Sequence, residues 1–303
     1  MANHPIWKLD HVSLEPDRLR DISLDISNGV TAVIGWSGAG KTSLLNILVG
    51  FEVPTRGRLI GGVENSAWVP QNGGLWSHST VREHLEIANG FTDDVEPLLA
   101  SFDLQHKADS RPDELSQGEQ SRLSVARALA TNSPVLVMDE PLVHVDPARA
   151  AKYWQLIREH ISQTGASLIF STHVPETVLG EASQVICLKE GTVLHQGLVT
   201  DLYMQPATPE LMNFLGAGNW LEPDDARLWL DAPMETARCI RPEQLLVSPA
   251  ENGGFIVESI RSRGSVAEAA LRHPVSGESR TFFHRPAAPL LFPGMHATLR
   301  IVP

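Results

Sequence analysis

The chain has 303 residues, room for two domains, and its 42% hydrophobic content is ordinary for a globular protein. Its net charge is −12; residues 220–303 hold 9 arginines, no lysine and 10 acidic residues, a balance of −1 that leaves −11 to the preceding part. These numbers give no support for a basic face that would bind nucleic acid. Two cysteines are too few for a disulfide framework, and no apolar run reaches the roughly 20 residues of a membrane-spanning helix.

The first strong pattern is a glycine-rich segment at residues 35–42, which fits G-x-x-x-x-G-K-[ST]. An apolar run before it predicts a strand, and the run after it predicts a helix, which is the context that a phosphate-binding loop needs. Glycines let the backbone approach phosphate oxygens, and a helix N-terminus attracts anions. Lys41 is expected at the β- and γ-phosphates and the Thr42 hydroxyl at Mg²⁺. The predicted nucleotide-binding residues of this segment are Gly35, Trp36, Ser37, Gly38, Ala39, Gly40, Lys41, Thr42 and Ser43.

Gln71 follows a short strand-like run that ends at residue 70. Its amide oxygen is a candidate ligand of Mg²⁺ or of a Mg²⁺-bound water, and the alternative is an ordinary loop glutamine. From about residue 73 to 133 the chain is predicted to be mainly helical. This stretch interrupts the alternation of strands and helices, and so predicts a separate helical lobe.

Ser116 and Glu119 have the S-x-x-E spacing of a capping box, and an amphipathic run follows them. One interpretation is simply a well-capped helix. The other is a second anion site, in which the Ser116 hydroxyl and the Gly118 N–H donate to a phosphate. The two interpretations are compatible with each other.

Asp139 and Glu140 directly follow the apolar strand-like run at residues 135–138. Asp139 is a candidate for holding Mg²⁺ through water, and Glu140 for polarising an attacking water as general base. His173 follows the run at 167–171 and is a candidate donor to a γ-phosphate. Taken alone, the two acids could form a solvated turn and the histidine could be a surface residue. The alternation of buried runs with helical stretches predicts an α/β sheet covered by helices.

The pattern changes after residues 216–218. Short apolar runs at 244–247, 254–260, 265–271 and 295–302 are separated by Pro and Gly, which predicts a small β domain of hairpins. The predicted domains are therefore 1–216, with its helical lobe at about 73–133, and 217–303. For the second domain we expect a structural or dimer-contact role, and the alternative is a binding module that senses a small ligand or a regulatory protein.

The phosphate-loop pattern at 35–42, Gln71, the capped helix start at Ser116, the two acids at 139–140 and His173 occur in a characteristic order. Together they resemble the motifs of the ATPase subunit of ATP-binding cassette (ABC) transporters. The resemblance includes the signature LSQGE at 115–119 and the Asp146 turn. It implies a P-loop NTPase fold (a RecA-like core plus a helical subdomain), ATP and Mg²⁺ as cofactors, and Glu140, His173 and Lys41 as catalytic residues. It also implies a head-to-tail homodimer that holds each ATP between the 35–42 loop of one copy and the signature of the other. The signature residues concerned are Ser116, Gly118 and Glu119, and the Mg²⁺ ligands are Thr42, Gln71 and Asp139.

The second domain resembles the small OB-like (TOBE-like) accessory domain of importer ATPases. This predicts an ATPase that energises a membrane importer at the cytoplasmic face of the inner membrane, with no transmembrane segment of its own. The implied partners are permease subunits and an external solute-binding protein, and nucleic acid is not among them. An inorganic anion such as molybdate or sulfate is the slightly favoured solute. The alternative is a soluble ABC ATPase of translation or DNA repair, which the single ATPase unit and the acidic balance disfavour.

Three positions depart from the family pattern. Residues 13–17 contain no aromatic side chain to stack on adenine, which leaves His11 and Trp7 as candidates. Gln117 replaces the usual first glycine of the signature. Residues 142–146 read LVHVD, where the family more often has TSALD.

Overall fold

The computed structural model describes residues 5–62, 65–230, 233–286 and 290–302. It divides into two compact units, Met1–Val199 and Thr200–Pro303. The elements of the first unit are β1 (Trp7–Leu14), β2 (Leu19–Ile26), β3 (Val30–Gly35), α1 (Lys41–Leu48), β4 (Arg56–Gly61), β5 (Ser66–Val69), α2 (Val81–Ala88), α3 (Glu96–Ser101), α4 (Gln117–Ala130), β6 (Val135–Asp139), α5 (Pro147–Thr164), β7 (Ser167–Ser171), α6 (Pro175–Glu181), β8 (Gln184–Lys189) and β9 (Thr192–Leu198).

A six-stranded sheet forms the centre of the first unit, in the order β5-β6-β7-β3-β8-β9. Only β9 runs antiparallel to its neighbour. Every residue of β6 and β7 is buried, because strands covered on both faces must be apolar throughout. Since β6, β7 and β3 are adjacent and parallel, their carboxyl ends meet at one edge of the sheet. Asp139, Ser171 and Gly35 are the last residues of these three strands.

A second, antiparallel sheet of three strands has the order β2-β1-β4. Its strands alternate between buried and exposed residues, as expected for a sheet with one face on the core. The turn at residues 15–18 connects β1 to β2 and passes beside the loop that follows β3: a Cβ added at Gly40 would lie 2.6 Å from the Arg18 carbonyl oxygen.

Between β5 and β6 the chain forms the helices α2, α3 and α4 and two 3₁₀ turns, Gln105–Lys107 and Pro112–Glu114. Both α2 and α4 begin with a complete capping box, formed by Thr80 with Glu83 and by Ser116 with Glu119. Capping satisfies N–H groups that have no partner within the helix, so these short polar signals define where the helices start.

The second unit contains a five-stranded antiparallel sheet in the order β12-β16-β13-β14-β15 and a two-stranded ribbon, β10-β11. Its elements are α7 (Val199–Met204), α8 (Pro209–Phe214), β10 (Asn219–Leu221), α9 (Pro223–Leu230), β11 (Arg238–Ile240), β12 (Leu245–Pro249), β13 (Phe255–Arg263), β14 (Val266–Arg272), β15 (Ser279–His284) and β16 (His296–Ile301). Trp229 of α9 packs its ring against Phe255 and Phe282, with centroids 5.2 and 5.3 Å apart. The sequence patterns predict neither α9 nor β15.

The two units divide at the start of α7, whereas the sequence predicts a domain boundary after Gly216. The contacts of Arg241 explain this difference. The side chain is fully buried, and its guanidinium donates to the carbonyls of Tyr203, Met212 and Ala217 at 2.8, 3.3 and 3.0 Å. Buried charges need such partners. The contacts bind the segment from α7 to residue 217 to the second unit.

The longest helix described, α5, has 18 residues, and none of the described helices is both long and apolar enough to cross a membrane.

Candidate functional site

The loop at 35–42 curls around the ammonium group of Lys41. Lys41 Nζ donates to the carbonyl oxygens of Gly35 and Trp36, at 2.8 and 3.3 Å. The loop ends at Gly40, whose φ of 101° and close approach to Arg18 leave no room for a side chain. Helix α1 begins at Lys41, so its free N–H groups and positive dipole end face the same loop. This arrangement suits a polyphosphate anion.

A buried carboxylate lies beside the first turn of α1. Asp139 is 2% exposed, and its Oδ2 accepts a hydrogen bond from the Thr42 hydroxyl at 2.7 Å. Its Oδ1 accepts from the hydroxyl of Ser171. These bonds compensate the burial of the charge. A carboxylate and a hydroxyl in contact are also the oxygen donors that Mg²⁺ takes beside a nucleotide, so these residues fit that ion.

Glu140 and His173 meet at the same edge of the sheet. Glu140 Oε1 lies 3.4 Å from His173 Nδ1, and the side chains are 15% and 59% exposed. Glu140 has a φ of 50°, a left-handed conformation, and its N–H donates to Ser171 Oγ at 2.9 Å. A half-shielded carboxylate next to an accessible imidazole can accept a proton from water while the imidazole donates to an anion.

Gln71 is exposed and lies on the wall of a cavity of about 1080 Å³. Thr42 and His144 line the same cavity, so the glutamine is on the side of the site where Thr42 meets Asp139. The segment after it is fixed by Arg127, whose guanidinium donates to the carbonyls of Gly74 and Gly73 at 2.6 and 3.1 Å.

The signature residues form a compact helix start. Ser116 Oγ and N both donate to Glu119 Oε2 at 2.8 Å, and Glu119 N donates back to Ser116 Oγ at 3.3 Å. Burial opposes ionisation of Glu119, but hydrogen bonds from the Ser116 backbone and hydroxyl and from His106 outweigh it and lower its pKa. A Cβ at Gly118 would lie 3.1 Å from the His144 carbonyl oxygen.

Within the described residues, Lys41 and Thr42 make no hydrogen bond to the signature. The hydrogen bonds of Lys41 go to Gly35 and Trp36 and that of Thr42 goes to Asp139, and none joins them to the signature. The structure therefore brings together Lys41, Thr42, Asp139, Glu140 and His173, and the hydrogen bonds of Lys41 and Thr42 do not include the signature.

The structure rules out one of the two adenine candidates. Trp7 is 1% exposed and packed in the core, which rules it out as a candidate. His11 pairs with Asp21 at 2.7 Å, a hydrogen bond that raises its pKa. The backbone of Arg18 lies beside the phosphate loop, and its side chain donates to Glu52 at 3.0 Å. Motif reading misses Arg18, but placing residues 15–18 in the β1–β2 turn would have revealed it.

Ser171 is the second residue that motif reading misses. Its only signal in the sequence is its place at the end of the run that precedes His173. The parallel pairing that puts it opposite Asp139 is a property of the sheet.

Comparison with known proteins supports one family throughout. The family model described as ABC transporter matches residues 19–143. The spermidine/putrescine import ATP-binding protein of Pseudomonas aeruginosa is 30% identical, over 82% of this chain and 79% of that protein. The sulfate/thiosulfate import ATP-binding protein of Mesorhizobium japonicum is 29% identical, over 91% of this chain and 94% of that protein. The Fe(3+) ions import ATP-binding protein of Serratia marcescens is 30% identical over 86% of each.

Solved structures share the fold. An ATP-binding subunit of an ABC transporter superposes with a TM-score of 0.60 at 23% identity, covering 70% of this chain and 95% of that one. A dimeric ATP-binding cassette in a post-hydrolysis state, bound to ADP and Pi, superposes with a TM-score of 0.57 at 25% identity. The match covers 64% of this chain and 98% of that one. The chain therefore belongs to the ABC transporter family, as an ATP-binding and ATP-hydrolysing subunit of the import type.

Proposed function

We propose that this ATPase hydrolyses ATP at the edge of the sheet formed by β3, β7 and β6, with Glu140 as the general base. The observation that carries the proposal is the convergence of five side chains there, above all the 3.4 Å approach of His173 Nδ1 to Glu140 Oε1. The assignments of the other three, Lys41, Thr42 and Asp139, rest on their hydrogen bonds around the same loop. Gln71 is added because it lines the same cavity as Thr42.

Each residue has a separate role. Lys41 and the N–H groups of the loop bind and neutralise the phosphates, because phosphoryl transfer depends mainly on positioning and charge neutralisation. Thr42, Asp139 and Gln71 would hold Mg²⁺, which supplies positive charge at the phosphate oxygens. Glu140 accepts the proton of the attacking water at its carboxylate, and His173 donates to the γ-phosphate.

A second copy of the chain completes the site. In one chain, Ser116 bonds with Glu119, whereas Lys41 donates to Gly35 and Trp36 of its own loop. A helix N-terminus capped by a hydroxyl is a second anion site. We therefore assign the phosphate loop of one copy and the signature of the other to one nucleotide, in a head-to-tail homodimer.

The permease is assigned to the large cavity beside Gln71. Three big apolar side chains on its walls are exposed, Phe51 by 75%, Trp76 by 43% and Ile87 by 44%. Exposed apolar groups clustered at a groove are typical of a protein contact. Arg127 lies 5.0 Å over the ring of Trp76 and also holds the backbone after Gln71. A permease segment in this groove would be mechanically linked to Gln71, and would hold the ATPase at the cytoplasmic face of the membrane.

The solute is assigned to other subunits. Three relatives of 29% to 30% identity are named for an organic polycation, an oxyanion and ferric ions. Such unlike solutes at equal similarity mean that an ATPase of this kind does not select the solute. An external solute-binding protein and the permease would do so.

The test is the substitution Glu140→Gln, which keeps the shape of the side chain and removes its basicity. We expect ATP to bind normally while turnover falls at least about tenfold, a barrier increase of ~1.4 kcal/mol. Steady-state phosphate release and binding of ATP are measured on the same preparation. Glu176→Gln is the matched control, since Glu176 lines the same cavity as Glu140 and has no assigned role. Turnover near that of the control would remove Glu140 from the role of base.

A further inference from the structure

Ser171 is the last residue of β7 and is completely buried. In the parallel sheet its Cα pairs with that of Asp139, and His173 follows two residues later. The serine thus lies between the residues assigned to Mg²⁺ and to the proton transfer.

The Ser171 hydroxyl links Asp139 to Glu140. Its oxygen accepts a hydrogen bond from the Glu140 N–H at 2.9 Å, and its proton is donated to Asp139 Oδ1. The other oxygen of Asp139 accepts from Thr42 at 2.7 Å. The carboxylate is therefore fixed at both oxygens, and its rotation would break one of the two bonds.

The backbone at Glu140 needs such a partner. With a φ of 50°, Glu140 adopts a left-handed conformation that non-glycine residues rarely take. Glu140 lies one residue beyond the end of β6, and its N–H donates to a side-chain hydroxyl instead of to a carbonyl of the neighbouring strand. The bond anchors the backbone of the residue whose side chain is the proposed base.

We propose that Ser171 is a positioning residue for ATP hydrolysis: it sets the orientation of the Asp139 carboxylate toward Thr42 and the backbone geometry of Glu140. The inference rests on the roles proposed above for these two acids. Ser171 itself touches neither the water nor the phosphates; it acts through its two neighbours.

The chain offers a matched control on the same strand. Ser167, at the other end of β7, is 2% exposed, and its oxygen accepts from the Gly29 N–H at 3.1 Å while its proton goes to Asn28 at 3.3 Å. Ser167→Ala and Ser171→Ala therefore each remove one accepted backbone N–H bond and one donated side-chain bond from a buried hydroxyl of the same strand. Of the two variants, only Ser171→Ala changes a residue that contacts Asp139 and Glu140.

The experiment compares the two variants in steady-state ATPase assays on the full chain. For Ser171→Ala we expect kcat to fall between about 10- and 100-fold, the usual effect of removing a group that orients a metal ligand, with KM changed less than about twofold. Ser167→Ala should keep the wild-type kcat, and Ser171→Thr, which retains the hydroxyl, should recover most of it.

A second measurement does not depend on turnover. Binding of a non-hydrolysable ATP analogue is titrated by calorimetry with Mg²⁺ and with EDTA. In Ser171→Ala the gain in affinity from Mg²⁺ should shrink about tenfold, while the affinity in EDTA stays as in the wild type. Equal kcat and equal Mg²⁺ dependence in the two alanine variants would overturn the inference. If Glu140→Gln retains its turnover, the assignment of Glu140 as the base is wrong. If Glu140→Gln loses turnover while Ser171→Ala keeps the wild-type kcat and Mg²⁺ dependence, only the positioning role of Ser171 is rejected.

Discussion

The ammonium group of Lys41 lies within the curl of its own loop, held by two carbonyls. A lysine placed there can exchange these contacts for phosphate oxygens, which form stronger, charge-assisted bonds. The loop backbone supplies the geometry and the side chain supplies the charge, so the two contributions can be separated by mutation.

Lys41→Ala should lower the affinity for ATP at least about tenfold, or ~1.4 kcal/mol, because the phosphates lose their nearest cation. Equilibrium titration with a fluorescent ATP analogue measures this. Lys8→Ala, an exposed lysine of β1, is the control. An affinity unchanged in Lys41→Ala would contradict the assignment of the 35–42 loop to the phosphates.

His84 predicts a dependence of stability on pH. Its Nδ1–H donates to the Thr80 carbonyl at 2.7 Å and its Nε2 accepts from the Trp76 N–H at 2.8 Å, so only the neutral ring makes both bonds. Burial lowers the pKa of His84 below 6.5 and outweighs the bond to Thr80, which raises it. Below pH 6.5 the unfolded chain therefore binds a proton that the folded chain does not, and stability falls.

The free energy of unfolding in urea, measured between about pH 7.5 and about pH 5.5, tests this within the range where histidine titrates. His84→Gln should flatten the slope, and His78→Gln, at an exposed histidine, should not. An identical slope in both variants would assign the pH dependence to other groups.

At the scale of elements, the start of α4 serves both stability and chemistry. Ser116 caps this helix, as Thr80 caps α2 with the same capping box. Because the two caps are equivalent, Thr80→Ala and Ser116→Ala should each cost about 1 kcal/mol of stability. Only Ser116→Ala should also reduce ATPase activity, since only that cap faces a nucleotide in the proposed dimer.

Chemical denaturation and ATPase assays of the two cap variants separate the two effects. A loss of activity in Thr80→Ala equal to that in Ser116→Ala would mean that activity follows helix stability alone. The signature would then be a structural feature of the lobe.

For the whole molecule, the proposed dimer predicts complementation between two inactive variants. Lys41→Ala removes the phosphate-loop half of the site, and Gly118→Asp places a carboxylate at the signature, where even a Cβ lies 3.1 Å from the His144 carbonyl. A mixed dimer contains one site built from two intact halves. We therefore expect the mixture to regain ATPase activity that neither variant has alone.

The mixing experiment measures phosphate release after the two variants are combined in equal amounts. Its companion is dilution of the wild-type chain, which should lower the activity per subunit as dimers dissociate. Constant activity per subunit on dilution, together with no recovery in the mixture, would indicate a site complete in one chain.

The main chemistry could be predicted from local sequence. The glycines, Lys41 and Thr42 form a contiguous motif, and the apolar runs before them and before Asp139 predict strands. Residues that act through distant partners could not be found this way. Ser171 contacts Asp139 across 32 positions of the chain, and Arg18 approaches Gly40 only because β1 and β2 form a hairpin there.

The sequence by itself determined the family, the order of the motifs and the chemical type of each site residue. These features could be predicted because phosphate loops, helix caps and buried strands are each encoded by residues that are adjacent in the chain. The tertiary structure decided that Trp7 belongs to the core, that Arg241 binds the segment from α7 to residue 217 to the second unit, and that Ser171 joins the two acids. These are outcomes of packing and of strand pairing between segments far apart in the chain, which no local pattern encodes.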